Sequence, residues 1–497
     1  MFHNTMNNIL IGRKKEQEIL LDALTSKEAE MVAVLGRRRV GKTFLVKQTY
    51  SISFEITGLP DADTAKQLEN FTMQLARFSN SKLPIKAPDT WLEAFGMLAR
   101  FLDEQIRKKK VGGKNVVFFD ELPWLARHKS GFMAGLEWFW NSWAAGRNIV
   151  VVICGSAASW MIRNVVNAHG GLHNRITRRI FLQPFTLHET ELFLQSRGLK
   201  YNRFQIVQLY MALGGIPHYL KEIRAGQSAV QNISRICFAQ EGLLRDEFSR
   251  LYHALFAHAD NHIAVVRVLA ASRQGLSRPN IINKAKLPEG GNSSKVLEEL
   301  EQSGFITSYT PFGKQKKETL YRLTDEYSLF YLRFIERNTS TDSSTWNHLS
   351  QTPSAKVWSG YAYENTCLKH LQQLKKALGI AGVYAEAATF LQKALQTRDD
   401  AANDIHQRTS KGVQIDLLLD RKDGIINIFE MKFYNAEIAL TQADARTLQT
   451  RLQAFAEATK TNKQLVLTLV TVFGLQHNKH SLGLVEQVLT LDDLFAE

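Results

Sequence analysis

Residues Gly36-Arg37-Arg38-Arg39-Val40-Gly41-Lys42-Thr43 fit G-x-x-x-x-G-K-[ST] at every fixed position. In such a loop the glycines let successive backbone N–H groups point inward around phosphates. The lysine reaches β- and γ-phosphate oxygens, and the hydroxyl faces Mg²⁺. Val116-Val117-Phe118-Phe119-Asp120-Glu121 supplies the complement: four apolar residues of a central strand, then two acids at its C-terminal end, where α/β sheets bind ligands. Asp120 is expected to hold Mg²⁺ and Glu121 to orient or deprotonate an attacking water, which points to hydrolysis of a nucleotide such as ATP. Ser156, after Cys154-Gly155, stands where a γ-phosphate sensor would stand, or simply ends a strand.

A second constellation lies near the C-terminus. Ile415-Asp416-Leu417-Leu418-Leu419 and Ile428-Phe429-Glu430-Met431-Lys432 flank the turn signal Arg421-Lys422-Asp423-Gly424. Asp416 and Glu430 both lie seven positions from Asp423, so antiparallel pairing sets them opposite each other. Strand alternation puts Glu430 and Lys432 on one face. Acids close together among Ile, Leu and Phe are costly unless a cation neutralises them, which makes a Mg²⁺ site a natural explanation. The alternative is an Asp416–Lys432 or Glu430–Lys432 ion pair on a half-exposed face.

These residues need a scaffold. Short apolar strands (Met31–Leu35, Asn115–Phe119, Ile149–Cys154) alternate with amphipathic segments, the pattern of a parallel sheet covered by helices. Helical periodicity takes over near Gln183-Pro184-Phe185 and predicts a helical lid over 186–255. Over 256–337, three helices (Ile263–Ala271, Arg278–Ala285, Ser293–Ser303) precede a hairpin (Phe305–Tyr309, Thr319–Leu323), which reads as a winged helix-turn-helix. The Ser/Thr/Asn-rich stretch 338–357 reads as a linker. A last α/β domain, 358–497, opens with the helix Tyr363–Leu378, passes a polar stretch Thr397–Ser410 and ends in strands.

The ordered set Ile11-Gly12-Arg13, the phosphate loop, Asp120-Glu121, Gly155-Ser156, Arg175-Ile176-Thr177-Arg178-Arg179 and Gly214-Gly215-Ile216-Pro217 resembles the archaeal-type ATPases of the AAA+/STAND group of P-loop NTPases. The likeness covers about the first two-thirds of the chain and implies a P-loop ATPase core over 1–185. It places Gly12 and Arg13 near the adenine, Gly215 and Pro217 at the lid beside the nucleotide, and all of Gly36, Arg37, Arg38, Arg39, Val40, Gly41, Lys42 and Thr43 around the phosphates. It further implies an arginine finger or sensor among Arg175, Arg178 and Arg179, with Arg178 and Arg179 carried forward; a finger given by a neighbour requires a homo-oligomer. The C-terminal part resembles the PD-(D/E)xK nuclease superfamily, a restriction-endonuclease-like α/β fold. That likeness implies Asp416 and Glu430 as metal ligands, Lys432 as the residue that positions water, and Glu364 as an additional acid, with Mg²⁺ or Mn²⁺ assisting phosphodiester cleavage. No proline precedes Asp416, a departure from the family label.

The chain has 497 residues, 44% hydrophobic and 22% charged, enough for packed cores and against global disorder. No apolar run approaches a membrane span, the N-terminus lacks a signal peptide's features, and Cys154, Cys237 and Cys367 lie far apart. A cytoplasmic protein with no membrane role and no disulfide framework is expected. The excess of 14 basic over acidic side chains favours nucleotides and DNA as partners. Lys314, Lys316 and Lys317 suit a wing near phosphates, but the third helix balances Lys295 against Glu298, Glu299 and Glu301, which opposes tight base reading. Leu136, Phe139, Trp140 and Trp143 share a helical stripe and read as core, leaving Trp138 exposed. His169 and His173 lack companions for a zinc site. The expected function is an ATPase coupled to a DNA-directed, metal-dependent nuclease-like domain. The alternative is a nucleotide-switched DNA- or protein-binding regulator with an inactive nuclease fold, and a conventional transcription regulator ranks last.

Overall fold

The computed structural model describes residues 10–81, 85–108, 113–167, 174–392 and 412–497; His169, His173 and the polar stretch Thr397–Ser410 lie outside them. The N-terminal part is a five-stranded, wholly parallel sheet in the order β2-β3-β4-β1-β5: β1 Glu30–Leu35, β2 Phe54–Thr57, β3 Asn115–Asp120, β4 Ile149–Gly155 and β5 Arg178–Phe181. Every residue of β1, β3 and β4 is buried, which is why these strands are continuous apolar runs in the sequence rather than alternations. Period-two alternation still sorts their side chains. Met31, Ala33 and Leu35 join one core with Trp91, Phe95 and Phe139, while Val32 and Val34 face a second core formed with the helical segments beyond residue 186.

The two edge strands escape the sequence pattern because each is four residues long and partly exposed. The second of them carries Arg178 and Arg179, the arginines carried forward as finger or sensor. Leu136, Phe139 and Trp140 are buried as expected, Trp143 is half-buried, and Trp138 is 39% exposed.

Over 256–337 the helices Ala259–Ala270, Arg278–Lys284 and Gly291–Gln302 accompany a small antiparallel sheet in the order β6-β8-β7, from β6 Leu276–Ser277, β7 Ile306–Tyr309 and β8 Leu320–Leu323. The hairpin tip is not free. Phe312 packs on Phe455 with ring centroids 5.4 Å apart, and its N–H donates to Thr389 O at 2.7 Å. The third helix turns toward the sheet domain, where Glu299 accepts from Arg163 at 2.9 Å and bonds His262 at 2.9 Å.

The 338–357 stretch departs from its reading as a linker. It contains the short helix Thr345–Leu349, and Trp346 is buried among Phe238, Phe330, Phe334 and Trp358. Its N–H also donates to Ser234 Oγ at 2.9 Å. A long helix then runs Pro353–Lys369, with Thr352 as its N-cap. The C-terminal sheet is mixed: β9 Ala385–Gln392, β10 Val413–Arg421 and β11 Ile425–Lys432 are antiparallel, and Gln464–Thr471 and Gln487–Leu489 continue parallel from β11. One continuous apolar cluster extends from Val32 through the helical segments to Leu417, Phe429 and Val470, so the two sheets share a packed core.

Candidate functional site

The phosphate loop joins the C-terminal end of β1 to the helix Lys42–Thr49. Gly36 and Gly41 have φ of 145° and 95°, values that favour glycine, and a Cβ on Gly36 would meet Leu182 O at 2.4 Å. Lys42 is buried, its Nζ donating to Gly36 O at 2.9 Å and Arg37 O at 2.8 Å, so the loop is folded around its own cation. Thr43 Oγ1 donates to Asp120 Oδ2 at 2.7 Å, bringing a hydroxyl and a carboxylate together at the sheet's ligand-binding end. Hard oxygen donors of this kind fit Mg²⁺. Glu121, at φ 48°, accepts from Ser156 Oγ at 2.8 Å and Ser156 N at 3.2 Å. The adjacent ends of β3 and β4 therefore fix the Glu121 carboxylate.

The remaining residues expected at the nucleotide divide. Arg13 lies over the Phe185 ring at 4.5 Å and donates to Glu189 through its backbone at 2.9 Å, beside the loop residue Val40. Gly12 and Gly215 are sites of close backbone approach: a Cβ would meet Glu189 Oε1 at 2.6 Å in one and Phe185 O at 2.0 Å in the other. Pro217 opens a helix of only four residues, shorter than the lid helix expected there. Arg37 and Arg39 turn their side chains away from the loop. Arg37 is buried in an ion pair with Asp325, and Arg39 pairs with Glu247 at 2.7 Å, so both guanidinium groups point into the helical part and only their backbone N–H groups remain for phosphates. Arg38 is exposed.

Arg178 stands away from the loop of its own chain. It is level with Val32, four residues before Gly36, or about 13 Å along the strand. Its guanidinium meets Glu30 at 3.3 Å and Asp22 at 3.7 Å, at the end of the sheet away from the loop. Arg179, level with Ala33, is exposed. Neither reaches the chain's own phosphate loop.

In the C-terminal sheet, the register Leu417↔Phe429 and Leu418↔Ile428 sets Asp416 next in line opposite Glu430. Glu430 is held by two cations, Lys432 at 2.9 Å and Arg451 from the helix Gln442–Thr459. Asp416 accepts from Gln414, which in turn accepts from Gln274 at 2.6 Å, linking the acid to the segment before β6. Glu364 lies on the Pro353–Lys369 helix. Burial first, and then the charges of Asp416 and Glu430, push its carboxyl up to about 8. Burial also raises Asp416, with Glu430 adding to the rise. Lys432 is raised because Glu430 outweighs the cost of burying the ammonium.

Among the described residues, however, no group of three or more His, Cys, Asp or Glu side chains converges closely enough to hold a metal ion. The expected Asp416–Glu430–Glu364 cage is therefore not assembled in this arrangement, because protein cations already neutralise Glu430. The Glu430–Lys432 pair is the alternative the sequence left open.

Two participants were missed in the sequence. Arg451 sits on an unremarked helix, announced by the Thr441/Asp444 capping box. Asp325 carries an N-cap signal before the helix Glu326–Phe330, but nothing local marks its partner 288 positions away.

Residues 10–223 match the family described as an ATPase domain predominantly from Archaea. That stretch is an archaeal-type P-loop ATPase domain, and the chain is an ATP-hydrolysing enzyme. An uncharacterised protein of Methanocaldococcus jannaschii is 20% identical over 374 residues, 74% of this chain and 78% of that protein. Among solved structures, a Walker-type ATPase of Pyrococcus abyssi is 18% identical with a TM-score of 0.49, covering 65% of this chain and 96% of that one. The ORC2 protein of Aeropyrum pernix is 14% identical with a TM-score of 0.42, covering 67% and 95%. Among the described residues no helix is long and apolar enough to cross a membrane.

Proposed function

We propose that ATP binding and hydrolysis at Gly36–Thr43 switch the placement of the 256–337 module, read as a winged helix, and of a nuclease-like C-terminal domain directed at DNA. Mg²⁺ held by Thr43 and Asp120 would neutralise phosphate charge. Lys42 would leave the carbonyls of Gly36 and Arg37 for phosphate oxygens, and Glu121, steadied by Ser156, would orient the attacking water. Arg178 or Arg179 would serve only a neighbouring subunit.

The observation that carries the coupling is the junction Asp325-Glu326. Asp325 holds Arg37 of the phosphate loop, and Glu326 accepts from Lys369 at 2.7 Å. Lys369 ends the helix that carries Glu364, so two adjacent acids join the nucleotide loop to the C-terminal acid cluster. A loop rearranged by nucleotide has a direct lever on that helix.

At the C-terminal site Asp416 and Glu430 would hold a divalent ion, with Glu430 exchanging Lys432 and Arg451 for it; the ion would supply activation of water toward a phosphodiester, and Lys432 would position that water. A second reading, an inert nuclease fold serving as an interaction module, is favoured by the present pairing of Glu430. The test is a nuclease assay on plasmid and linear DNA with Mg²⁺ or Mn²⁺, with and without ATP, comparing intact protein with Asp416→Ala, Lys432→Ala and Lys42→Ala. Cleavage lost in the first two and altered in the third supports the nuclease. No cleavage with any metal, with ATPase activity intact, leaves the switched binding protein.

A further inference from the structure

A cavity of about 790 Å³ adjoins the acid cluster, shares Glu364 and Lys432 with the expected C-terminal site, and extends well beyond it. Glu364 and Lys432 line it. So do Phe433, stacked on Phe204 with centroids 5.4 Å apart and planes 14° from parallel, and Tyr434, which is 57% exposed. Arg273 and Lys356, both exposed, stand on its walls. Among the described residues no ion pair ties up Lys356, and Arg273 is drawn only toward Glu364 through space. The volume is that of a ligand cleft, about 300–1,000 Å³, which admits a few unpaired nucleotides but not a duplex.

An exposed aromatic ring, Tyr434, and cations lining one groove suit a single strand, bases stacking on the ring while Lys and Arg track the phosphates. We infer that this groove binds a single-stranded polynucleotide and leads its backbone to Glu364 and Lys432. The inference rests on the nucleic-acid reading of the C-terminal domain and adds the form of the substrate: an unpaired end or loop, not an intact duplex. Gly360 offers a clean block. It lies within the Pro353–Lys369 helix on the groove wall, and a Cβ there would meet nothing within 4 Å, so a large side chain enters the groove without disturbing the backbone.

The experiment is fluorescence anisotropy of the full chain in EDTA with labelled 12-mer oligo-dT, oligo-rU and a 12-base-pair duplex. Circular dichroism and ATPase activity serve as controls for folding. Both or either single strand should bind at least fivefold more tightly than the duplex, and the comparison of dT with rU identifies the polynucleotide. Tyr434→Ala and Gly360→Phe should each weaken single-strand binding about tenfold, and Lys356→Gln should reduce the log–log salt slope by about 0.7. Binding unchanged in Tyr434→Ala and Gly360→Phe, equal affinity for the duplex, or no binding of either strand overturns the proposal. Cleavage that depends on Asp416 while the groove variants bind normally removes the groove alone. Groove-dependent binding without cleavage under any metal removes the nuclease reading alone.

Discussion

Breaking the Arg37–Asp325 pair tests whether the phosphate loop is held by the rest of the chain. The two side chains are 4% and 2% exposed, and the guanidinium also lies 4.8 Å from the Phe305 ring centroid. Burial alone would raise the Asp325 carboxyl, but Arg37 and the Ser328 N–H, at 2.9 Å, bring it below the usual carboxylate range, so it is charged at neutral pH. Its stabilising contribution is present above about pH 3.9 and is lost as pH falls through its lowered folded value. Arg37→Met strands a buried carboxylate and Asp325→Leu strands a buried guanidinium, each costing about 3–5 kcal/mol. Arg37→Met/Asp325→Leu removes both charges and their desolvation, so it should fall within about 2 kcal/mol of the parent, far short of the two losses added. Urea unfolding followed by tryptophan fluorescence reads this, since Trp346 and Trp358 lie in the same core cluster as Phe305. Asp325→Asn should also weaken ATP binding about 2- to 30-fold, the 0.5–2 kcal/mol expected of a coupling residue outside the site. Single losses below about 1 kcal/mol, or a double variant as unstable as the singles added, refute a loop fixed through this pair.

Lys42→Ala and Glu121→Gln should each lower ATPase kcat by about 10²-fold or more, and Glu121→Gln should retain ATP binding by equilibrium titration; loss of binding in Glu121→Gln counts against its assignment to water. Ser156→Ala should lower kcat by a smaller factor at unchanged KM, and a change confined to KM would count against a positioning role for Ser156. His370 accepts from Leu187 N at 2.9 Å and bonds Thr366 O at 2.7 Å, and burial above all pushes it down to about 4. The unfolded chain therefore binds a proton first as pH falls, and stability on the order of 3 kcal/mol is lost between about pH 6.5 and 4; His370→Gln should flatten that slope in pH-dependent urea melts. Glu364 runs the opposite way. Its raised carboxyl keeps a proton that the unfolded chain releases near 4.5, so metal-free stability falls as pH rises toward about 8. Glu364→Gln should lessen the fall, and an unchanged slope would show that Glu364 is not set against Asp416 and Glu430.

What the sequence displayed depended on whether a constraint was local. Met31–Leu35, Asn115–Phe119 and Ile149–Cys154 were legible as strands because both of their faces are buried, and an unbroken apolar run records that. The Asp416–Glu430 register was legible because a turn centred on Asp423, with Gly424 at φ 87°, sets it arithmetically. Strands Phe54–Thr57 and Arg178–Phe181 were not, since a four-residue edge strand has too few buried positions to stand out. The 338–357 stretch misled for the opposite reason: its polar composition is real, but one buried tryptophan anchors it, and a single residue makes no period.

Electrostatic partners form the least legible class, and they decide what the candidate site can do. For the basic run Arg37-Arg38-Arg39 within the phosphate loop, sequence shows which charges are neighbours along the chain and not which are neighbours in space. Folding brings Asp325 and Glu247 to two of those arginines, and a buried guanidinium with a carboxylate partner is no longer available to an anion without leaving that partner uncompensated. The same logic governs Glu430. Its two cations satisfy it in the metal-free chain, so a divalent ion must compete with Lys432 and Arg451 before it gains a ligand. On the nuclease reading, rearrangement of a neighbouring element would be a precondition of metal binding. Lys432 lines the same cavity as Lys356 and Tyr434, so a strand drawing Lys432 onto its phosphates would loosen one of the two holds on Glu430. On that account substrate and metal should bind with positive cooperativity, each lowering the other's dissociation constant by the same factor.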